Sequence, residues 1–155
     1  RFGIDAFAAA LLNPVQAVRV LDPGKSFGPG EVVAEIDLGF GAIALRLHQP
    51  GGVNAINPGL RATPGVLVSD PYESGWLLEG WLRPTRPAPR TIAAHQARRR
   101  AELDMRCFRR RAAMHLLAGT ADVGATLPAG GEAQLDFWPV LGGGRYVELV
   151  RDLVG

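Results

Sequence analysis

The first half of the chain has a pattern of short apolar runs separated by turn sequences. The turn sequences are DPGKSFGPGE at 22–31, HQPGGVNAINPG at 48–59 and RATPG at 61–65. Short apolar runs with closely spaced turns are typical of strands in a β-sandwich or a small barrel. We therefore predict a mainly β unit from residue 1 to about residue 84.

One stretch of this unit has a helical pattern instead. The segment DAFAAALL, from Asp5 to Leu12, is apolar and rich in alanine. Aspartate is a preferred N-cap residue, because its carboxylate accepts a hydrogen bond from a free backbone N–H of the first helical turn. We predict a single short helical turn here, as the one exception among the strands and turns of this unit.

A proline-rich connector separates this unit from a long helical pattern. The connector PTRPAPR, from Pro84 to Arg90, can continue neither a central strand nor a helix. The following segment predicts one helix, with Thr91 as a cap and Gly119 as its end. Its apolar residues recur three or four positions apart and form one narrow face: Ala94, Ala97, Ala101, Met105, Phe108, Ala112 and Leu116. That face is expected to pack on the rest of the protein.

The last part of the chain is predicted to be a loop followed by a short helix from Arg145 to Val154. Four apolar residues form a stripe on this helix: Tyr146, Leu149, Val150 and Leu153. We expect the stripe to dock on the body of the domain. The predicted organisation is thus a β unit at 1–84, a connector with a helical insertion at 85–137 and a C-terminal helix at 138–155.

Positive charge is concentrated between Arg83 and Arg111. This stretch has ten arginines and two acidic residues, a net charge of +8, while the formal net charge of the chain is +2, so the remainder carries −6. Lys25 is the only lysine. Seven arginines surround the long predicted helix: Arg98, Arg99, Arg100, Arg106, Arg109, Arg110 and Arg111.

Three interpretations of these arginines stay open at this point. Arginine forks bind carboxylates and phosphates, so the helix could recognise an acidic protein surface or a nucleic acid, or it could present a solvated face. The segment has no interleaved tyrosines or tryptophans for base stacking, and the chain is only weakly basic overall. A nucleic-acid interface is therefore the less favoured of the two binding interpretations.

Length and composition exclude several classes of protein. At 155 residues the chain is long enough for one domain with a substantial core. No apolar run approaches the roughly 20 residues that span a bilayer, and no signal-peptide pattern is present, so a cytoplasmic protein is expected. Arg1 is not an initiator methionine, and residues upstream of it are therefore expected.

No catalytic or metal-binding pattern is evident in the sequence. Cys107 is the only cysteine, which excludes an internal disulfide and a CxxC site. His48, His95 and His115 are too few and too unfavourably spaced for a metal centre, and no HExxH pattern accompanies them. We predict a protein that is not an enzyme and has no metal and no cofactor.

Four segments resemble, in the correct order, the glycine cleavage system H protein family. SDPYESGWLLEG, from Ser69 to Gly80, resembles the family's D-P-Y-x-x-G-W-L pattern, which follows a lipoyl-bearing hairpin. Residues 1–36 are similar to its G-I-T-x-[YF]-A segment with the following strand and two glycine turns. Gly51–Leu60 and Leu141–Val150 are similar to its G-x-V-x-x-x-N-x-x-L run and its tyrosine-containing C-terminal helix. The resemblance implies a mainly β barrel-sandwich hybrid of the lipoyl/biotinyl type, with two small antiparallel sheets.

Outside the lipoyl-bearing hairpin, the chain departs from the family in two places. The family usually begins with a strand pair containing H-E-W, and no counterpart precedes Arg1, so an uncovered sheet edge is expected. The stretch from Thr91 to about Phe137 has no counterpart in the family. This arginine-rich insertion is where a function of its own is most readily expected.

The resemblance implies a carrier role that depends on one lysine. In the family, a lysine on the hairpin is lipoylated and shuttles an aminomethyl group between partner enzymes. The family's spacing places that position at Phe40, Gly41 or Ala42, and no lysine lies between residues 26 and 155. Since the amide to lipoate requires an ε-amine, lipoylation at the expected site is excluded. The acidic residues Glu35 and Asp37 precede this position, as an acidic residue does in the family.

The resulting hypothesis is a non-lipoylated accessory, scaffold or assembly subunit of a larger redox or one-carbon enzyme complex. Its predicted partner-binding residues are the seven arginines together with Trp76 and Trp81, which would face opposite sides of one regular strand. The partners are protein subunits, and a second copy of the chain is a further option, whereas a membrane is not expected. The alternatives are a carrier modified at Lys25, which lies on a glycine-rich turn, and a regulator that binds nucleic acid through the helix.

Overall fold

Two three-stranded antiparallel sheets form the β part of the protein. The computed structural model describes residues 1–85, 93–119, 139 and 141–154. The strands are β1 (Ala17–Val20), β2 (Ser26–Phe27), β3 (Val32–Asp37), β4 (Ala42–Arg46), β5 (Gly51–Ile56) and β6 (Leu78–Leu82). One sheet has the order β1-β3-β4 and the other has the order β2-β5-β6. This arrangement confirms the predicted mainly β barrel-sandwich fold.

Five helices accompany the sheets in the described residues. They are α1 (Ala6–Leu11), α2 (Gly59–Ala62), α3 (Val66–Ser69), α4 (Ala94–Gly119) and α5 (Gly143–Val154). None of these helices is long and apolar enough to cross a membrane. In α1, the Asp5 carboxylate accepts a hydrogen bond from the Ala8 N–H at 2.8 Å, as predicted. The short helix predicted after Asp5 is therefore present, but it is not the one exception among the strands and turns, because α2 and α3 each form one further turn.

The insertion helix α4 packs through only part of its apolar face. Phe108 and Ala112 are buried, and Ala101 and Met105 pack beside them against α1 and α5. Ala97 was predicted to belong to this face but is exposed, as are the other side chains described from residue 93 to 100. The first two turns of α4 therefore extend beyond the elements that bury its later part. Thr91 and the side chains of Ala94 and Leu116 lie outside what is described.

The C-terminal helix docks as predicted, although α5 begins at Gly143, two residues earlier than expected. Tyr146, Leu149 and Val150 are buried, and the Tyr146 hydroxyl donates a hydrogen bond to the Leu11 carbonyl at 2.7 Å. The side chain of Leu153 is not among those described.

Two hydrophobic clusters form the interior. The larger one contains residues of α1, the β1-β3-β4 sheet, α4 and α5, while Phe27, Val33, Val53 and Leu78 form the smaller one. The three-part division of the chain stays a prediction. The structure adds that residues from all three parts contribute to the larger cluster, since Phe108 and Leu141 are buried together with Ile36.

Candidate functional site

The hairpin between β3 and β4 carries the positions at which the family would place its lipoyl lysine. Asp37 pairs with Ala42 at the end of the hairpin, and the Leu38 N–H donates to the Gly41 carbonyl at 2.9 Å. Gly39 has φ of 82°, in the left-handed region that glycine adopts without strain. Its N–H donates to the Asp37 carboxylate at 2.8 Å. The chain therefore reverses tightly here, and Phe40 and Gly41 form the tip.

Helix α5 lies directly against this tip. A Cβ atom added at Gly41 would be 2.7 Å from Val147 Cγ2, and one added at Gly143 would be 2.6 Å from Phe40 Cβ. Arg151 Nη2 donates to the Ala42 carbonyl at 2.9 Å. Phe40, Gly41 and Ala42 are each only partly exposed as a result.

Three aromatic rings connect the tip with both long helices. Phe40 contacts Tyr146 of α5 edge to face, with ring centroids 6.1 Å apart, and Phe108 of α4 contacts the same tyrosine at 6.1 Å. Edge-to-face pairs of this kind stabilise packing beyond the burial of area alone. The insertion helix is thus joined to the tip through the C-terminal helix.

The residues at the tip do not fit a lipoyl group. Neither the phenyl ring of Phe40, the alanine methyl nor the glycine offers an amine to acylate. The acidic residues that precede the tip are engaged within the protein, since Glu35 forms an ion pair with Arg19 at 3.3 Å and Asp37 holds the turn. No step that requires a lipoyl group can therefore be assigned to this hairpin.

The contacts made by α5 were not found from the sequence. Gly143, Val147 and Arg151 are spaced four residues apart, and they form one helix face toward the hairpin. The predicted helix began at Arg145 and so left Gly143 in the loop, which concealed this pattern. The signal available in the sequence was the four-residue spacing of a small, a branched and a long residue, which places Gly143, Val147 and Arg151 on one helix face.

Lys25 lies on a different turn, between β1 and β2. Its backbone is fixed, because its N–H donates to the Asp22 carbonyl at 3.2 Å and its carbonyl accepts from the Val53 N–H at 2.9 Å. Gly24 has φ of 82°, which allows the turn. The Lys25 side chain itself is exposed.

The predicted arginines of α4 lie on the surface wherever their side chains are described. Arg100 donates through Nε to both carboxylate oxygens of Asp104, at 3.0 and 3.1 Å. The side chain of Arg98 is outside the described set. The remaining described arginines are exposed: Arg99, Arg106, Arg109, Arg110 and Arg111. Their role in binding stays a prediction.

The two tryptophans do not lie on one strand, so the predicted alternation was wrong. Trp76 precedes β6, which begins at Leu78, and its ring is covered by the Arg1 guanidinium at 5.0 Å from the centroid. Trp81 lies within β6, is 46% exposed, and its indole lies over Gly52 of the neighbouring strand. Of these two tryptophans, Trp81 is therefore the more exposed.

No metal centre is found in the part of the chain that the structure describes, where no three His, Cys, Asp or Glu side chains are grouped as one would require. Cys107 is exposed on α4. It borders a cleft of about 600 Å³ between the N-terminal segment and α4, which is lined by both arginines and aspartates, among them Arg111 and Asp152. Because positively and negatively charged side chains both line this cleft, it has no clear preference for a cationic or an anionic ligand.

Comparisons with known proteins agree with the architecture. The chain is 34% identical over 79 residues to the glycine cleavage system H protein of Mycobacterium avium (strain 104), and 32% identical over 79 residues to that of Mycobacterium leprae (strain TN). Each match covers 51% of this chain and 60% of the relative. The match to these relatives thus spans well under two thirds of their length.

A solved structure supports the fold. A glycine cleavage system H protein from Mycobacterium marinum superimposes with a TM-score of 0.51 at 23% sequence identity, covering 61% of this chain and 72% of that one.

The sequence profile of the family described as Glycine cleavage H-protein matches residues 1–94. The chain therefore belongs to the glycine cleavage H-protein family.

Proposed function

We propose that this protein is a non-lipoylated accessory or scaffold subunit, which mediates protein–protein interactions within a larger enzyme complex in the cytoplasm and has no catalytic role of its own. The observation that carries the proposal is the hairpin tip, where Phe40 and Gly41 pack against α5 instead of presenting an amine. A tip of this kind can hold the fold together but cannot carry an acyl group.

The packing of the tip supports the same conclusion. A carrier arm must leave the body of its protein and reach a partner, which requires an exposed and accessible attachment point. Here the Ala42 carbonyl accepts from Arg151, and Val147 lies within contact distance of Gly41. The C-terminal helix therefore occupies the space beside the position that the family uses for attachment.

Two surfaces support an interaction role. The described arginines of α4 are exposed, and Trp81 presents nearly half of its surface to solvent on β6. Tryptophan and arginine are the residues most enriched among those that dominate binding energy at protein interfaces. We propose that these surfaces contact protein subunits.

A carrier modified at Lys25 is the second candidate. The exposed Lys25 side chain and its rigidly held turn favour it, because an acyl acceptor needs a presented amine on a fixed backbone. The turn connects β1, which lies in the same sheet as the β3–β4 hairpin, with β2 of the other sheet. The accessory role is preferred because Lys25 is also an ordinary residue for a solvated turn.

Mass spectrometry separates the two candidates. The protein would be purified gently from its own source and analysed first as a native assembly and then as a released intact chain. We expect an unmodified chain bound stoichiometrically to other subunits. A lipoyl adduct that is lost in the Lys25→Arg variant would refute the accessory role and establish a carrier.

A second experiment tests lipoylation independently of the cells from which the protein is purified. The chain would be co-expressed with a lipoate ligase and supplied with lipoate, beside an H protein that has its lipoyl lysine as the positive control. We expect acylation of the control and none of this chain.

A further inference from the structure

We propose that the outward face of α4 binds an amphipathic helix of a partner protein whose polar residues are acidic. The outward face is formed by Arg99, Leu103, Arg106, Arg110 and Met114. The inference rests on the proposed interaction role, which it deepens by stating the chemistry of the partner.

These five residues form one continuous stripe. They follow one another at intervals of three or four positions, which places them on one side of a helix. All five are exposed, and the buried residues Phe108 and Ala112 lie on the opposite side. At 1.5 Å per residue the stripe is about 22 Å long, which is about four helical turns.

The charge of the stripe has one sign. Its three arginines take no part in the ion pairs of the described residues, which are Arg19 with Glu35 and Arg100 with Asp104. Asp104 lies away from the outward face, whereas Glu102 borders it, three positions after Arg99 and four before Arg106. Among the described residues Glu102 forms no ion pair with either arginine. A partner with carboxylates at matching positions would therefore meet unpaired guanidinium groups, which favour bidentate contacts with carboxylates.

The stripe also has apolar positions at defined intervals. Leu103 is 49% exposed and Met114 is 60% exposed, and they are the large hydrophobic residues on the surface among the side chains of α4 that the structure describes. Apolar side chains alternating with charges along a helix face are the pattern by which two helices select each other. The partner is thus expected to alternate leucine-like and acidic residues along one face.

The same features distinguish a protein partner from other polyanions. Single-stranded nucleic acids are bound through basic grooves with stacking aromatic rings, and the aromatic ring of α4, that of Phe108, is buried. A membrane-binding helix requires a broad apolar face, whereas the large apolar side chains exposed on the described part of α4 are Leu103 and Met114, eleven positions apart. A second copy of this helix would bring arginines against arginines.

The test is a binding titration with a designed probe. The full chain would be titrated into a fluorescently labelled peptide of about 21 residues, with leucines and glutamates along one face at heptad spacing. The comparison probe is a peptide of the same composition with the order scrambled. We expect saturable binding of the first peptide, at least about tenfold tighter than that of the scrambled peptide, because only the first can use both the charges and the apolar side chains.

Two matched pairs of substitutions locate the binding. The variant Arg106→Gln/Arg110→Gln removes two charges from the outward face, while Arg109→Gln/Arg111→Gln removes two exposed charges that lie about 100° around the helix axis from the centre of that face, one on each side. We expect the first variant to lose affinity about tenfold and the second to lose less than about threefold. Leu103→Ala is expected to weaken binding without changing its salt dependence.

The proposal is overturned if both variants lose affinity equally, if the scrambled peptide binds as well, or if single-stranded DNA or anionic vesicles bind more tightly through the same arginines. An intact mass of the same preparation is recorded in parallel. Failure of peptide binding by an unmodified chain counts against this inference alone, whereas a lipoyl adduct counts against the proposed function.

Discussion

Two glycines determine how closely the C-terminal helix approaches the hairpin tip. Gly41 faces Val147, and Gly143 faces Phe40, in both cases at separations that leave no space for a methyl group. Because cores are packed to crystal-like density, a single added carbon must displace a neighbour. The conformational cost of these glycines is offset by the contact that their small size permits.

A substitution at Gly143 tests this point directly. Gly143→Ala is expected to destabilise the protein by about 1–3 kcal/mol, because the new methyl group overlaps the Cβ atom of Phe40. The control is Gly144→Ala on the same helix, where nothing lies within 4 Å of the added carbon. That variant is expected to be neutral or stabilised by up to about 1 kcal/mol, since alanine favours a helix. Urea unfolding of both variants gives the comparison, and equal behaviour would contradict the close contact.

The contribution of the Asp70 carboxylate to the stability of the protein is expected to depend on pH. The backbone N–H of Ser74, with a smaller contribution from its side chain, lowers the pKa of the Asp70 carboxyl below its ordinary value of 3.8. The N–H donates to Asp70 Oδ2 at 3.0 Å. A carboxyl whose pKa is lowered in the folded state stabilises the protein above its unfolded pKa, and this stabilisation is lost as the pH falls through the folded pKa.

The stability difference between the wild type and Asp70→Asn is therefore expected to be largest at about pH 6 and to shrink as the pH falls below about 4. Urea midpoints measured across this range provide the test, with Glu148→Gln at an exposed position of α5 as the control for net charge. A difference that stays constant with pH would show that the carboxylate charge is not what stabilises the turn.

At the scale of the elements, the predictable parts were those with long or repeated patterns. The mainly β unit, α4 and α5 followed from turn spacing and from apolar residues at helical intervals, and the Asp5 cap followed from residue type. The division of the β unit into two sheets was implied by the family resemblance. The helices α2 and α3 were missed because four residues are too few to establish a helical period. Contacts between α5 and the tip depend on residues about one hundred positions apart, such as Ala42 and Arg151, which no local pattern encodes.

The same limit applies to the candidate site. The family resemblance and the sequence together showed that Phe40 lies where the family has its lipoyl lysine. The packing of the Phe40 ring against Tyr146 could not be predicted in this way. The apolar face of α4 was overestimated at Ala97, because periodicity shows which side of a helix is apolar but not how far its neighbour extends. Trp76 was misplaced because the start of β6 depends on pairing with β5.

At the scale of the elements, replacement of Phe108 is expected to lower the free energy of unfolding the most. It is 1% exposed and contacts Tyr146, so it anchors α4 on α5. Phe108→Ala is expected to cost about 3–5 kcal/mol of unfolding free energy, through lost burial and the cavity that remains. Limited proteolysis should then cleave α4 before the β sheets. The control is Leu103→Ala on the exposed side, which is expected to change stability by less than about 1 kcal/mol.

At the scale of the whole molecule, the buried cluster determines which part of the chain can fold. The family profile matches residues 1–94, yet the larger cluster also contains Phe108, Ala112 and four residues of α5, namely Tyr146, Val147, Leu149 and Val150. The insertion helix and C-terminal helix are therefore structural parts of the protein rather than additions to a finished domain.

A fragment of residues 1–94 is accordingly expected not to fold cooperatively. Without α4 and α5, the apolar residues of α1 and of the β1-β3-β4 sheet would be exposed to water, at about 25 cal/mol for each Å². Dispersion of amide signals in two-dimensional NMR and the sharpness of urea unfolding provide the comparison with the full chain. A well-dispersed spectrum with a cooperative transition would show that the matched region is autonomous.

The distribution of reactive side chains has a practical consequence. The sequence has one lysine and one cysteine, and Lys25 lies exposed on the turn before β2 while Cys107 lies exposed on α4. A thiol-directed dye would therefore label the insertion helix at Cys107, and an amine-directed dye would label the β unit at Lys25 once the α-amino group of the chain terminus has been blocked. Energy transfer between the two dyes would report directly whether α4 keeps its position on the sheets when a partner binds.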